Sequence, residues 1–129
     1  RARVGHAILV TCRAQRTPVP AIPGAEPADV NICTYMGASC AIDLPVKLQA
    51  LMQSSDQFTA SLNGQLEAGG STRRFGRPSS GVHALDLQIN EASYLASAHN
   101  SDQLDLDKAK ALRRLLTEAF ALIAEWRPK

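Results

Sequence analysis

The sequence predicts a single α+β domain over residues 1–129, built as a small mixed or antiparallel sheet with two main helices packed on one face. Three observations carry that expectation. Val82–Ile89 alternates with period two, Leu106–Trp126 repeats with the 3.6-residue period of a helix, and the chain is 45% apolar and 20% charged over 129 residues. Such a length and balance suit one folded domain rather than a disordered chain.

Taken in order, Val4–Cys12 (VGHAILVTC) is β-rich and lacks helix caps, so it predicts the first strand. Pro18, Pro20, Pro23 and Pro27, with Gly24, forbid helix or inner strand and predict an extended loop across Thr17–Ala28. Asp29–Tyr35 sets Val30, Ile32 and Thr34 against Asn31, Cys33 and Tyr35, a second strand that a turn at Met36-Gly37 could fold into a hairpin with Ala38–Ile42. Asp43-Leu44-Pro45 reads as a helix start, with Asp43 as cap and proline in the first turn, where its missing donor costs nothing. Apolar steps of three and four extend that helix from Leu44 to Leu62, with a break near Ser54-Ser55-Asp56 and an end at Asn63-Gly64.

Ala68–Gly81 (AGGSTRRFGRPSSG) holds four glycines, one proline, three arginines and no acid, which predicts a flexible basic loop. In Val82–Ile89, His83, Leu85, Leu87 and Ile89 share one side and Ala84, Asp86 and Gln88 the other, the pattern of a half-buried strand. Asn90-Glu91 turns the chain into Ala92–Ala98, which suits a partner strand or, from Glu91, a short alanine-rich helix. The last helix is the clearest element, with Leu112, Leu115, Leu116, Ala119, Ile123 and Trp126 on one face and Asp105 as its cap. Leu122 and Phe120 widen its apolar arc to about 160°, more than one supporting surface covers, so the Leu44–Leu62 helix or a second subunit must lie against it. Both main helices open with Asp-Leu, which an internal ββα repeat would explain but independent capping explains more simply.

The formal charge of +2 is spread evenly, so neither half is a polybasic arm, and no apolar run approaches the ~18–20 residues of a helical membrane span. Abundant alanine and an excess of arginine over lysine fit a bacterial source. An odd, sparse set of cysteines, Cys12, Cys33 and Cys40, predicts reduced thiols and a cytoplasmic setting. The first residue, Arg1, leaves open whether a leader precedes it.

Chemical motifs are thin. Gly37-Ala38-Ser39-Cys40-Ala41 misses the second glycine of a nucleophile elbow, and Gly64–Ser71 has glycine where a phosphate loop needs lysine. His6, His83 and His99 lie far apart and the cysteines lack zinc spacing, so no metal, cofactor or catalytic residue is assigned.

Three readings follow. The first is a small non-catalytic binding protein that associates, as a homodimer, through Leu115, Ala119, Leu122 and Trp126. The second is a nucleic-acid accessory protein using Arg73, Arg74, Phe75 and Arg77, with Arg13 and Arg16 in support. The third is an enzyme or small-ligand protein whose pocket between sheet and helices is lined by Tyr35, His83, Asp86 and Tyr94.

Overall fold

Strands β1 (Ala7–Gln15), β2 (Val30–Cys33), β3 (Ala60–Leu62) and β4 (Val82–Asn90) form one sheet in the order β1-β4-β2-β3. The structure, a computed structural model, describes residues 5–16, 27–64, 68–96 and 103–129. β1 runs parallel to β4, β2 antiparallel to β4, and β3 parallel to β2, so the sheet is mixed. Parallel neighbours need a crossover. Helix α1 (Asp43–Gln53) supplies it between β2 and β3, and helices α2 (Gly70–Phe75) and α3 (Leu106–Glu125) complete the α+β fold.

Pairing fixes which side chains share a face. Leu85, Leu87 and Ile89 of β4 stand with Val30 and Ile32 of β2 and with Ala60 and Leu62 of β3. Against them pack Leu44, Leu48 and Met52 of α1 and Leu112, Leu115, Ala119 and Ile123 of α3, forming the core. Each valine, leucine, isoleucine or methionine among them contributes roughly 1.5–3 kcal/mol by leaving water. Most of the broad apolar arc of α3 is thus covered within the chain, by α1 and by the sheet, while Phe120 at its edge stays exposed. Leu115, Ala119 and Trp126 are buried there and Leu122 is half-buried, so these four are core residues rather than a surface offered to a second subunit.

At its start α3 behaves as its sequence predicts, because the Asp105 side chain accepts from the Lys108 amide at 3.2 Å, a cap of about 1 kcal/mol. Asp43 does not cap α1. Ile42 holds the cap position, and the Asp43 carboxylate instead accepts from Trp126 Nε1 at 2.7 Å, tying the end of α3 to the start of α1. The two Asp-Leu starts therefore differ in what the aspartate does, and neither helix follows a hairpin among the described residues.

Several boundaries depart from the sequence reading. β1 extends to Gln15, and β2 pairs with β3 and β4 rather than folding into a hairpin with Ala38–Ile42. The reason lies in the turn: Tyr35 and Met36 at φ 50° and 54° and Gly37 at 89° redirect the chain, and Ser39 then bonds to β4 through the Ala84 amide at 2.8 Å. α1 stops at Gln53, because the Ser54 hydroxyl bonds back to the Leu51 carbonyl and the chain tightens to an i→i+3 bond at Ser55. Phe58 and Leu62 keep the helical spacing by coincidence and enter the core from a turn and from β3.

Ala68–Gly81 is not a loop throughout, since it holds α2 and a 3-10 turn at Pro78–Ser80. β4 is a central strand buried on both sides from His83 to Gln88, not half-buried. After it comes a 3-10 turn at Glu91–Ser93 rather than a partner strand, with a single bridge from Leu95 to Leu104. The proline-rich segment at Thr17–Ala28 and the end of Ala92–Ala98 fall mostly outside the described residues.

Candidate functional site

The second face of the sheet is polar and largely buried. Register places Thr11 and Arg13 of β1 beside Asp86 and Gln88 of β4, with Asn31 and Cys33 of β2 on the other side and Ser61 of β3 beyond. Buried polar groups persist only when hydrogen-bonded, and here they form one connected layer.

Asp86 has no exposed side-chain surface and is its anionic centre. The Thr72 hydroxyl donates to Oδ1, while the Gly69 amide and, at 3.3 Å, the Arg13 guanidinium donate to Oδ2. These bonds explain why a glycine-rich segment forms α2 at all: Thr72 and Gly69 moor it to the sheet, overriding weak local propensity. Gly76 closes the far end, because a Cβ there would stand 2.4 Å from Ser39 Cβ, so only glycine permits α2 to meet the 34–39 turn.

Asn31 is the second centre. Its amide nitrogen donates to Gln88 Oε1 at 2.9 Å and to Cys33 Sγ at 3.1 Å, and its oxygen accepts from the Ser61 hydroxyl at 2.6 Å and the Gly64 amide at 3.0 Å. All four of its hydrogen-bonding positions are filled. Burial first, and then the Asp86 carboxylate, push the Cys33 thiol up, so it serves as a neutral member of the layer rather than a thiolate nucleophile. Asn63, itself at φ 50°, accepts from the Thr34 amide at 2.8 Å and donates to the Thr34 hydroxyl at 2.9 Å, fixing the turn that follows β2.

At the rim of this layer lie Tyr35 and α2. Arg73 places its guanidinium carbon 5.9 Å from the Tyr35 ring centroid, and Arg74 lies 5.4 Å from that of Phe75. Arg77 folds back to donate to the Gly76 carbonyl at 2.7 Å and the Arg73 carbonyl at 3.2 Å. The three arginines taken from the sequence as one basic loop thus sit on and after a short helix in three different settings. Arg16 pairs with Glu91 at 3.7 Å.

Of the four residues proposed to line a pocket, Tyr35 and Asp86 share the polar side and the other two do not. His83 is buried on the apolar side, its ring edge-on to Trp126 at 4.9 Å, with Nδ1 accepting from the Ala41 amide at 3.1 Å. Burial, then His6, hold its imidazole below the ordinary value, against a smaller upward pull from Asp43. Tyr94 packs near α3 and lines an open cavity of about 430 Å³ with Leu104, Leu112 and Leu116.

Ser39, the near-match to a nucleophile, is buried and donates to the Ala84 carbonyl at 2.8 Å. Among the described residues no three His, Cys, Asp or Glu side chains converge as metal ligands. The layer is instead a hydrogen-bonding set of one carboxylate, one thiol, amides, hydroxyls and a guanidinium.

Sequence reasoning missed Asn31, Gln88, Thr72 and Ser61. A signal for two of them was present, since Asn31 and Gln88 alternate with the apolar Val30, Ile32, Leu87 and Ile89 in their strands. No local pattern marks Thr72 or Ser61.

A family model described as FGase, N-formylglutamate amidohydrolase, matches residues 1–95. N-formylglutamate deformylases of Pseudomonas aeruginosa and Pseudomonas putida are each 30% identical, over 127 and 126 residues, covering 98% of this chain and 47% of their own length. The crystal structure of N-formylglutamate amidohydrolase from Ralstonia eutropha JMP134 is similar in fold, with a TM-score of 0.73 at 15% identity over 97% of this chain and 46% of that one. The chain therefore spans about half the length of the curated relatives it matches.

These matches overturn the first reading, a small non-catalytic binding protein, and with it the expectation that the chain is not an enzyme. They favour the third reading. The matched span contains every residue of the polar layer and stops before α3, and on that correspondence the chain belongs to the N-formylglutamate amidohydrolase family.

Proposed function

We propose that the polypeptide carrying this chain hydrolyses the formamide bond of an N-formyl amino acid of the glutamate class, with the polar face of the sheet as its side of the substrate site. Water adds to the formyl carbon, the C–N bond breaks, and formate and the free amino acid leave. The observation that carries this reading is the family match over residues 1–95, which encloses Arg13, Asn31, Cys33, Ser61, Thr72, Asp86 and Gln88.

Within this half of the family's length, the layer supplies preorganisation. Asp86 and Asn31 are positioning residues, since their oxygens are already bonded within the protein. Asp86 holds Arg13, whose side chain is 38% exposed, as a fixed cation at the surface of the layer, while Asn31 fixes Gln88 beside it. A guanidinium held in place stabilises negative charge on a carbonyl oxygen without reorganising at the moment of reaction. Reduced thiols at Cys12, Cys33 and Cys40 fit a cytoplasmic setting for this chemistry.

Formate release from N-formylglutamate, with glutamate measured in parallel, tests the proposal. One formate per glutamate is expected. Asp86→Asn, which keeps shape and removes the charge that orients Arg13, should lower kcat by ~10–100-fold. A folded polypeptide that releases no formate from N-formylglutamate or from other N-formyl amino acids overturns the reading.

A further inference from the structure

We infer that Arg73 and Tyr35 form a carboxylate-recognising rim at the open edge of the polar layer, selecting acidic N-acyl amino acids over neutral ones; this rests on the deformylase reading above.

The first argument is where the cation is held. Arg73 is exposed, yet its helix is fixed by the Thr72–Asp86 bond and by the close approach of Gly76 to Ser39. Its guanidinium lies over the Tyr35 ring, and none of the ion pairs among the described residues involves it. A guanidinium held over an aromatic ring by cation–π attraction spends no N–H donor on that contact, and a carboxylate matches the fork those donors form.

Backbone strain supplies the second argument. Tyr35 and Met36, at φ 50° and 54°, occupy the left-handed region that non-glycine residues avoid at a cost of about 1–2 kcal/mol each. Neither is required by the core, for Tyr35 is 49% exposed and Met36 82%. The turn is nonetheless held rigidly, by the paired Thr34–Asn63 bonds and by the Gly37 and Ser39 amides donating to the Thr34 carbonyl at 3.1 and 3.0 Å. Strain maintained at a surface where it serves no packing marks a residue placed for what it presents. What it presents is the Tyr35 ring beneath Arg73, with a phenol hydroxyl as a further donor.

Charge is the third. Among the described residues the layer contains one carboxylate, Asp86, and that is paired with Arg13, whereas its rim carries Arg73, Arg74 and Arg77. An excess of fixed positive charge at the rim of a polar layer attracts an anionic ligand, most strongly one with two carboxylates.

The test compares kcat/KM for N-formylglutamate and N-formylglutamine, which differ by a carboxylate against an amide of the same shape. Wild type should prefer the acid. Arg73→Met should lower kcat/KM for the acid by ~100-fold and for the amide by less than ~3-fold, with Arg73→Lys recovering part of the loss and Tyr35→Phe costing ~5–10-fold on the acid alone. Arg114→Ala, on the exposed face of α3, should change neither substrate. Equal losses on both substrates, or an unaltered preference in folded Arg73→Met, overturn the rim.

Calorimetric titration with glutamate reads the same site without turnover. Arg73-dependent glutamate binding in a polypeptide that releases no formate sustains the rim and overturns the deformylase reading. Formate release indifferent to Arg73 does the reverse, and the absence of both binding and release overturns both.

Discussion

The two faces of the sheet are built on opposite principles. On the α1–α3 side, Leu85 and Leu87 meet Leu44, Leu48, Met52 and Leu115, and the contact is non-directional and close-packed. On the other side Asp86, Asn31 and Gln88 are equally buried, but each is held by named donors and acceptors in fixed directions. One face confers stability. The other spends some of it on orientation, because a saturated polar layer gains little over its hydrogen bonds to water yet is costly to leave unsatisfied.

That contrast breaks most readily in the core. Leu85→Ala should cost ~2–5 kcal/mol in urea unfolding while leaving turnover per folded molecule close to wild type. A variant that keeps its stability and loses turnover would blur the division of labour. Next in size is Gly76→Ala on the polar side. The new Cβ would meet Ser39 backbone and side-chain atoms at 2.4–2.7 Å, so a loss of ~1–3 kcal/mol is expected, together with a fall in turnover as α2 shifts from the 34–39 turn. Unchanged stability would mean that α2 is not seated there.

Smaller, and of opposite sign, is Met36→Gly. Relief of the left-handed conformation should raise stability by up to ~1 kcal/mol, since the side chain is 82% exposed and glycine suits φ 54°. A measured loss would show that Met36 packs rather than strains. The smallest effect belongs to His83 and appears only with pH. Its folded-state pKa is held down by burial and then by His6, so the unfolded chain takes up the proton first as pH falls below 6.5. Stability contributed by the neutral imidazole is present above 6.5 and declines below it, until the folded protein's own lower value is reached. His83→Gln should flatten that part of the profile of urea midpoint against pH.

The same contrast explains what could be read from the sequence. The apolar face was legible because its signals are periodic: α3 from Leu106 with its Asp105 cap, and the alternation of β4, follow directly from spacing. Where spacing misled, a local bond decided the outcome, as when Ser54 ended α1 and left Phe58 and Leu62 to mimic further turns. The breadth of the α3 arc calls for two supports, and α1 and the sheet supply them for all of it but Phe120.

Polar-face residues carry no period of their own. Asp86 was identified, but its partners come from β1, α2 and the segment before α2, 73, 14 and 17 positions away, and nothing local joins them. The arginines at 73, 74 and 77 stand out as a group, and nucleic-acid contact is one reading of them, since composition records their charge but not their divergent directions. Tyr35 and Arg73 belonged to separate hypotheses until the turn at 35–37 brought them together.

The division between the faces is tested most directly by amide chemical-shift mapping during titration with N-formylglutamate. Shifts are predicted at Arg13, at 34–38, at 69–76 and at Asp86, with the buried face of α1 and α3 unmoved. Shifts confined to α1 and α3, or to the cavity beside Tyr94, would contradict the account.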